Sequence, residues 1–137
     1  SELSRVGLEY ALELARGWGA EVTVYHLANA AELASYKASS MEDLLSKHRQ
    51  ILEQFQNDSF AELLPLVEVR QKVEIGSPAT SILEEAEREG SDLIVMSTHG
   101  RTGLAHMLMG SVTEQVVRNA YCPVFSIHPP QPRKEKP

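Results

Sequence analysis

Apolar residues along this chain follow two spacings that alternate from one segment to the next. Repeats at every third or fourth position place apolar side chains on one face of a helix, and they predict helices over 3–16, 40–63, 78–89 and 111–119. Short β-branched or apolar runs predict strands over 22–27, 67–75, 93–96 and 123–127. Strands alternating with helices predict an α/β protein with a doubly wound, mostly parallel sheet and right-handed crossovers.

Local signals refine these elements. The strand over 67–75 alternates apolar with polar residues and should have one wetter face, whereas 93–96 shows no alternation and should be covered on both faces. Ser77 is the expected cap of the third helix, with Gly90 at its end. For the second helix, we expect a capping box in which Ser39 is the cap.

Composition and charge exclude several classes of function. The chain has 137 residues, enough for one domain, and we expect a single domain over 1–128 with a disordered, proline-rich tail over 129–137. The net charge is -6 with no basic cluster outside the tail, so nucleic-acid binding lacks its usual electrostatic support. No apolar run approaches the roughly 20 residues that span a bilayer. Because Cys122 is the only cysteine, we expect a reducing compartment, the cytoplasm.

The stretch after the strand 93–96 leaves the core through small and hydroxyl-bearing residues. Three glycines there would let a ligand approach the backbone closely: Gly100, Gly103 and Gly110. The helix that starts at Ser111 offers unpaired N–H groups and the positive end of a helix dipole, and Arg101 could add charge. Since ligands of doubly wound sheets bind at the carboxyl ends of strands, this corner is a candidate phosphate site.

An ordinary structural explanation exists for the same residues. The run from Ser111 to Glu114 matches a capping box, in which Ser111 caps its own helix and Glu114 reaches back to it. Glycine-rich turns are also common without any ligand. The residues alone therefore leave both alternatives open.

The stretch from Asp92 to Ile127 resembles the C-terminal half of the universal stress protein family. The ATP-binding signature of that family is Gly-x-x-Gly, followed by nine residues and then by Gly-Ser or Gly-Thr. Gly100, the nine residues 101–109 and Gly110-Ser111 match it, whereas Ser97 stands at the first glycine. The segment 1–27 is similar to the family's first helix and second strand.

The resemblance implies a three-layer α/β sandwich of the adenine nucleotide alpha hydrolase-like type. It implies a regulatory ligand in stress response, ATP or a related nucleotide such as AMP or ADP, with Mg²⁺ possible alongside ATP. We expect the last strand, within 123–127, to pair with a second copy in a homodimer. The candidate nucleotide-binding residues include the contacts that the resemblance implies and two further residues of the glycine-rich stretch, Arg101 and Gly103. The full set is Leu27, Met96, Ser97, Gly100, Arg101, Gly103, Gly110, Ser111 and Val112.

One part of the family pattern does not appear in the sequence. The family begins with a strand ending in an aspartate that contacts the nucleotide, and this sequence starts at or just after that motif. In the family's strand order, 3-2-1-4-5, that strand is central. We therefore expect its two neighbours to be separated by about 10 Å, with the strand belonging to residues that precede those given or to another chain.

Dedicated catalysis has no visible apparatus in the sequence. Asp92 and Ser97 lie at opposite ends of one strand, roughly 16 Å apart, so with His99 they cannot form a triad. His26 is expected to be a hydrogen-bonded core or edge histidine, and Cys122 an inert packing residue. We thus predict no metal site and no enzyme. The alternatives are an interaction module of the same fold that binds no nucleotide, and a weak Mg²⁺-dependent ATP hydrolase.

Overall fold

Helices and strands alternate along the chain in the computed structural model, as the apolar spacings predict. The structure describes residues 2–35, 40–98 and 111–129. The helices are α1 Glu2–Trp18, α2 Ala30–Ser35, α3 Met41–Phe60, α4 Pro78–Glu89 and α5 Ser111–Asn119, with a 3₁₀ turn at Leu64–Leu66. The strands are β1 Glu21–Ala28, β2 Glu68–Ile75, β3 Ile94–Ser97 and β4 Val124–Ile127.

Three local details differ from the sequence prediction. The cap of α3 is Ser40 rather than Ser39: its hydroxyl accepts a hydrogen bond from the Asp43 N–H at 3.2 Å. The same helix ends at Phe60 rather than at residue 63, and Pro65, which cannot donate a helical hydrogen bond, lies in the following 3₁₀ turn Leu64–Leu66. The short helix α2 was not predicted; the Asn29 side chain caps it by accepting from the Ala31 N–H at 2.9 Å.

The strands form two parallel pairs. β1 pairs with β2 from Glu21 opposite Glu68 to Ala28 opposite Ile75, and β3 pairs with β4. Within the described residues, no ladder joins β1 to β3. The parallel direction confirms the prediction, and two separate pairs agree with the order 3-2-1-4-5 when its central strand is not counted.

Helices cover both faces of these pairs and give three layers. On one face, Leu8 and Leu12 of α1 pack with Phe60 of α3, over the inward valines of β1 and β2. On the other face, α4 and α5 pack on β3 around Ile94 and Val116. Parallel pairing places the carboxyl ends of β1 and β2 at a common edge, and it does the same for β3 and β4. Within the described ranges, no helix combines the length and hydropathy needed to cross a membrane.

Charged side chains connect α4 to the β1–β2 pair. Glu85 of α4 is only 5% exposed, and its carboxylate accepts from the Lys72 Nζ at 2.9 Å and from the Arg88 guanidinium. Beside it, the Tyr25 hydroxyl donates to the Glu74 carboxylate at 2.8 Å. Buried polar groups need such partners, since an unpaired one would be strongly destabilising.

The Tyr25–Glu74 hydrogen bond should make stability depend on alkaline pH. Burial, followed by the bond to the Glu74 carboxylate, raises the pKa of Tyr25 to about 12 from the ordinary 10.0. The folded state therefore retains this proton after the unfolded chain has lost it. The contribution is fully present below pH 10 and is lost as the pH rises towards about 12.

We predict that the free energy of unfolding of Tyr25→Phe falls less steeply with pH than that of wild type between pH 10 and 11.5. The difference in slope should correspond to at most one bound proton per molecule. Urea titrations at a series of pH values measure that slope. Tyr121→Phe is the matched control, because the Tyr121 side chain is almost fully exposed. Equal slopes for wild type and Tyr25→Phe would contradict the assignment.

Candidate functional site

The end of β3 is fixed to the neighbouring strand. Thr98, the residue after the strand, is buried. Its backbone N–H donates to the Ile127 carbonyl at 3.0 Å, and its hydroxyl donates to the same oxygen at 3.3 Å. This double attachment determines the position from which the chain leaves the sheet.

Helix α5 starts next to the same point. The Thr113 side chain, in the first turn of α5, is 1% exposed, and its hydroxyl donates to the Ser97 carbonyl at 3.4 Å. Val112 and Val116 hold the helix from below, since both belong to the core cluster that contains Met96. The first turn of α5 is therefore packed against the carboxyl end of β3.

This arrangement has the chemistry of an anion site. The first four N–H groups of a helix have no partner inside the helix, and the helix dipole adds positive potential there. Glu114 is the acidic residue of this turn, but its carboxylate accepts from Arg118 one turn further along, at 2.7 Å. In a capping box, the Glu114 carboxylate would instead accept from the backbone N–H of Ser111. The bond to Arg118 is a different contact, made towards the other end of the helix.

The structure brings together some of the predicted nucleotide residues. Met96, Ser97 and Val112 lie around the junction of β3 and α5, and Met96 and Val112 belong to one core cluster. Leu27 is the last residue but one of β1, and its side chain lies near Gly76, the residue that follows β2. The two pairs thus contribute separate parts of the candidate site.

Five predicted residues belong to the segment before α5 and to its first residue. Four of them lie outside the described residues: Gly100, Arg101, Gly103 and Gly110. Ser111 is described only as the first residue of α5. The contacts assigned to these five residues therefore stay predictions.

Two threonines that shape the site were not identified from the sequence. Thr98 and Thr113 bind backbone carbonyls at the ends of β4 and β3. Their sequence signal is weak, because threonine is frequent both in strands and on exposed surfaces. The available hint was position: one follows a buried strand directly, and the other lies in the first turn of the next helix.

The prediction for His26 is confirmed. Its Nε2 lies 2.9 Å from the Nδ1 of His48, so it is a hydrogen-bonded histidine. Cys122 is half-buried and packs against the α4–α5 core cluster, as expected for a packing residue. Among residues 2–35, 40–98 and 111–129, no group of three or more histidine, cysteine or acidic side chains could hold a metal ion.

Comparison with known proteins gives a family match over most of the chain. The profile of the universal stress protein family matches residues 1–128. The universal stress protein MJ0531 of Methanocaldococcus jannaschii is 31% identical over 140 residues, which cover 98% of this chain and 79% of that protein.

Solved structures share the fold. A universal stress protein in complex with cAMP superposes with a TM-score of 0.69 at 18% identity, covering 93% of this chain and 90% of that one. A universal stress protein family protein of Arabidopsis thaliana with AMP bound gives a TM-score of 0.50 at 22% identity, covering 85% and 76%. At these identities the likeness shows the fold, which is the expected adenine nucleotide alpha hydrolase-like sandwich.

The Thr113–Ser97 bond can be tested by its effect on stability. Thr113→Val keeps the shape of the side chain but leaves the Ser97 carbonyl without this donor. We predict a loss of about 1 kcal/mol in the free energy of unfolding, measured by urea denaturation. Thr80→Val is the matched control, an exposed threonine in the first turn of α4. If both variants were equally stable, Thr113 would not fix α5 to β3.

Proposed function

Because this chain belongs to the universal stress protein family, we propose that it binds an adenine nucleotide as a regulatory ligand in stress response. The ligand is ATP, or AMP or ADP, and Mg²⁺ can accompany ATP. The proposed binding residues are those named from the sequence: Leu27, Met96, Ser97, Gly100, Arg101, Gly103, Gly110, Ser111 and Val112.

The observation that carries this proposal is the packing of α5 against the end of β3. The Thr113–Ser97 bond holds the first turn of the helix at the strand's carboxyl end, where doubly wound sheets bind ligands. In a chain with a net charge of -6, a phosphate needs such local donors, because the overall field repels it. The glycine signature before the helix supports the same ligand.

The ligands of the related structures support an adenine nucleotide in particular. One universal stress protein binds cAMP and another family protein binds AMP. Both ligands combine an adenine with at least one phosphate. The proposed site offers donors for the phosphate at α5 and the strand end at Leu27 for the base.

A regulatory role fits this site better than turnover. Phosphoryl transfer needs a carboxylate or similar group to hold Mg²⁺ and to orient the attacking water, and the segment from Ser97 to Ser111 contains no Asp or Glu. We therefore propose a binding protein rather than an enzyme, in the cytoplasm, the reducing compartment to which the single cysteine points.

We also propose a homodimer formed through residues 123–127. Among the described residues β4 pairs with β3 on one side only, and Phe125 within β4 is 38% exposed. The Phe125 ring lies 5.4 Å from the ring of the half-exposed Tyr10. An apolar edge of this kind suits antiparallel pairing with a second copy.

Nucleotide binding can be tested directly. The supernatant of heat-denatured purified protein, analysed by chromatography, should contain adenine nucleotides, and calorimetry should detect ATP, ADP or AMP binding to the emptied protein. Gly110→Val should abolish binding, because its side chain would obstruct the approach of the phosphate. Ser97→Gly restores the signature glycine and should tighten binding by about 1 kcal/mol, roughly fivefold.

Thr23→Gly provides the control for Ser97→Gly, since it also introduces a glycine into a strand, at an exposed position near the start of β1. It should leave the affinity unchanged. A protein that binds none of the three nucleotides would instead be an interaction module of this fold. Mg²⁺-dependent turnover that disappears in Gly110→Val would favour the weak hydrolase.

The dimer predicts a specific effect of charge at β4. Phe125→Lys would place two like charges across the two-fold axis and should convert the dimer to a monomer in analytical ultracentrifugation. Ile51→Lys, at an exposed apolar position of α3, should leave the dimer intact. A monomeric wild type, or a dimer that survives Phe125→Lys, would exclude this interface.

A further inference from the structure

Three titratable side chains form a hydrogen-bonded chain away from the phosphate end of the proposed site. The Nδ1 of His48, on α3, lies 2.9 Å from the Nε2 of His26 on β1. The Nε2 of His48 lies 3.0 Å from a carboxylate oxygen of Glu32 on α2. His48 is 6% exposed, and the two imidazole rings stack with their centres 5.0 Å apart. We call His26, Glu32 and His48 the histidine clamp.

The clamp holds one corner of the chain from both sides. His26 lies immediately before Leu27, and Glu32 lies in α2, just after the corner at Asn29. The corner itself is tight, because the Asn29 carbonyl accepts from the Glu32 N–H at 3.0 Å. His48 thus attaches the strand before the corner and the helix after it to the same point of α3. The corner is where the proposed site would meet the base.

The chain of bonds limits how many protons the clamp can hold. A neutral imidazole has one N–H and one acceptor nitrogen, whereas a protonated one has two N–H groups and no acceptor. His48 can donate to Glu32 while accepting from His26, and one added proton can be shared without breaking the chain. If both rings are protonated, two N–H groups face each other across the 2.9 Å contact, and that bond must break.

Other charged groups around the clamp have partners of their own. On β2, Lys72 and Glu74 pair with α4 residues on the opposite face of the strands. Within one turn of His48 on α3 lie Lys47 and Arg49, and the latter pairs with Glu42 at 2.9 Å. On α1, Arg5 pairs with Glu2 and Glu9. The carboxylate of Glu32 lies 3.0 Å from the Nε2 of His48, so it is in direct contact with the ring whose protonation is considered.

We propose that the histidine clamp positions the Leu27 corner, and that the nucleotide affinity of the protein falls when both histidines become protonated. The proposal rests on the proposed function for its ligand, but the clamp itself does not. Histidine usually changes charge between about pH 5 and 8. We call the clamp closed when the His26–His48 bond is formed and open when it is broken. The open clamp can hold one proton more than the closed clamp, so a fall in pH favours the open state.

The expected change in nucleotide affinity with pH follows from this difference of one bound proton. The first proton is compatible with the closed clamp, so nucleotide affinity should fall only over the pH range in which the second proton binds, by up to about tenfold per pH unit. Between pH 7.5 and 8.5 it should be nearly constant. The phosphate of AMP also titrates near pH 6, as phosphate monoesters do, so the profile must be compared with that of a variant that shares this contribution.

His48→Gln is the informative variant. Glutamine retains one acceptor for His26 and one donor for Glu32 but cannot be protonated. Calorimetric titrations with AMP from pH 5.5 to 8.5 should show near wild-type affinity at pH 7.5 and a flatter profile than wild type. His128→Gln is the control, an exposed histidine after β4, and its profile should follow that of wild type. Parallel profiles for wild type and His48→Gln would overturn the proposal.

Nuclear magnetic resonance of the imidazole nitrogens tests the clamp without a nucleotide. The two rings should take up protons in separate steps, and the second step should coincide with faster amide exchange in residues 27–32. Two independent titrations with unchanged exchange would overturn the clamp. Absence of nucleotide binding at every pH would overturn the proposed function and the predicted effect on affinity, whereas the ring titration would still decide the clamp.

Discussion

Helix α1 is the element on which the relative position of the two strand pairs depends. Its buried Leu8 and Leu12 pack over the β1–β2 side, and the same helix contacts β3 and β4 on the other side. Near its start, Gly7 lies close to the Ile127 side chain of β4. Within the described residues no backbone ladder joins β1 to β3, and side chains of α1 and α4 contact both pairs. The proposed site spans both pairs, with Leu27 on one and Ser97 on the other, and its shape therefore depends on this helix.

The opposite face uses two different kinds of contact. Helix α4 packs its apolar residues, including Ala79 and Ile82, with β3 and α5, but it meets the β1–β2 pair through Glu85 and the charges around it. Apolar packing is non-directional, whereas a buried ion pair requires a defined geometry. The ionic side therefore specifies how α4 sits on β2, and the apolar side contributes most of the burial.

The periodic features of the sequence predicted the layers and the strand direction, because apolar spacing reports which face of an element is covered. Features that depend on one hydrogen bond were not predictable in this way. Ser39 and Ser40 are equally good caps by type, and only the path of the backbone selects Ser40. The pairing of His26 with His48 joins residues 22 positions apart, which no local pattern reports. Thr113 was missed for the same reason, since its partner is the carbonyl of a residue in another element.

A nucleotide at the proposed site would link the two strand pairs energetically. A nucleotide that contacts the Leu27 corner and the first turn of α5 would join the two pairs, and a ligand that binds only the folded state stabilises it by RT ln(1 + [L]/Kd). The two ends of such a site are supported differently. Thr113 holds α5 against β3 through a neutral hydroxyl, whose contact has no titratable group, whereas the Leu27 corner is held through two histidines and a carboxylate. A fall in pH would therefore weaken the base end of the site while leaving the support of the phosphate end unchanged.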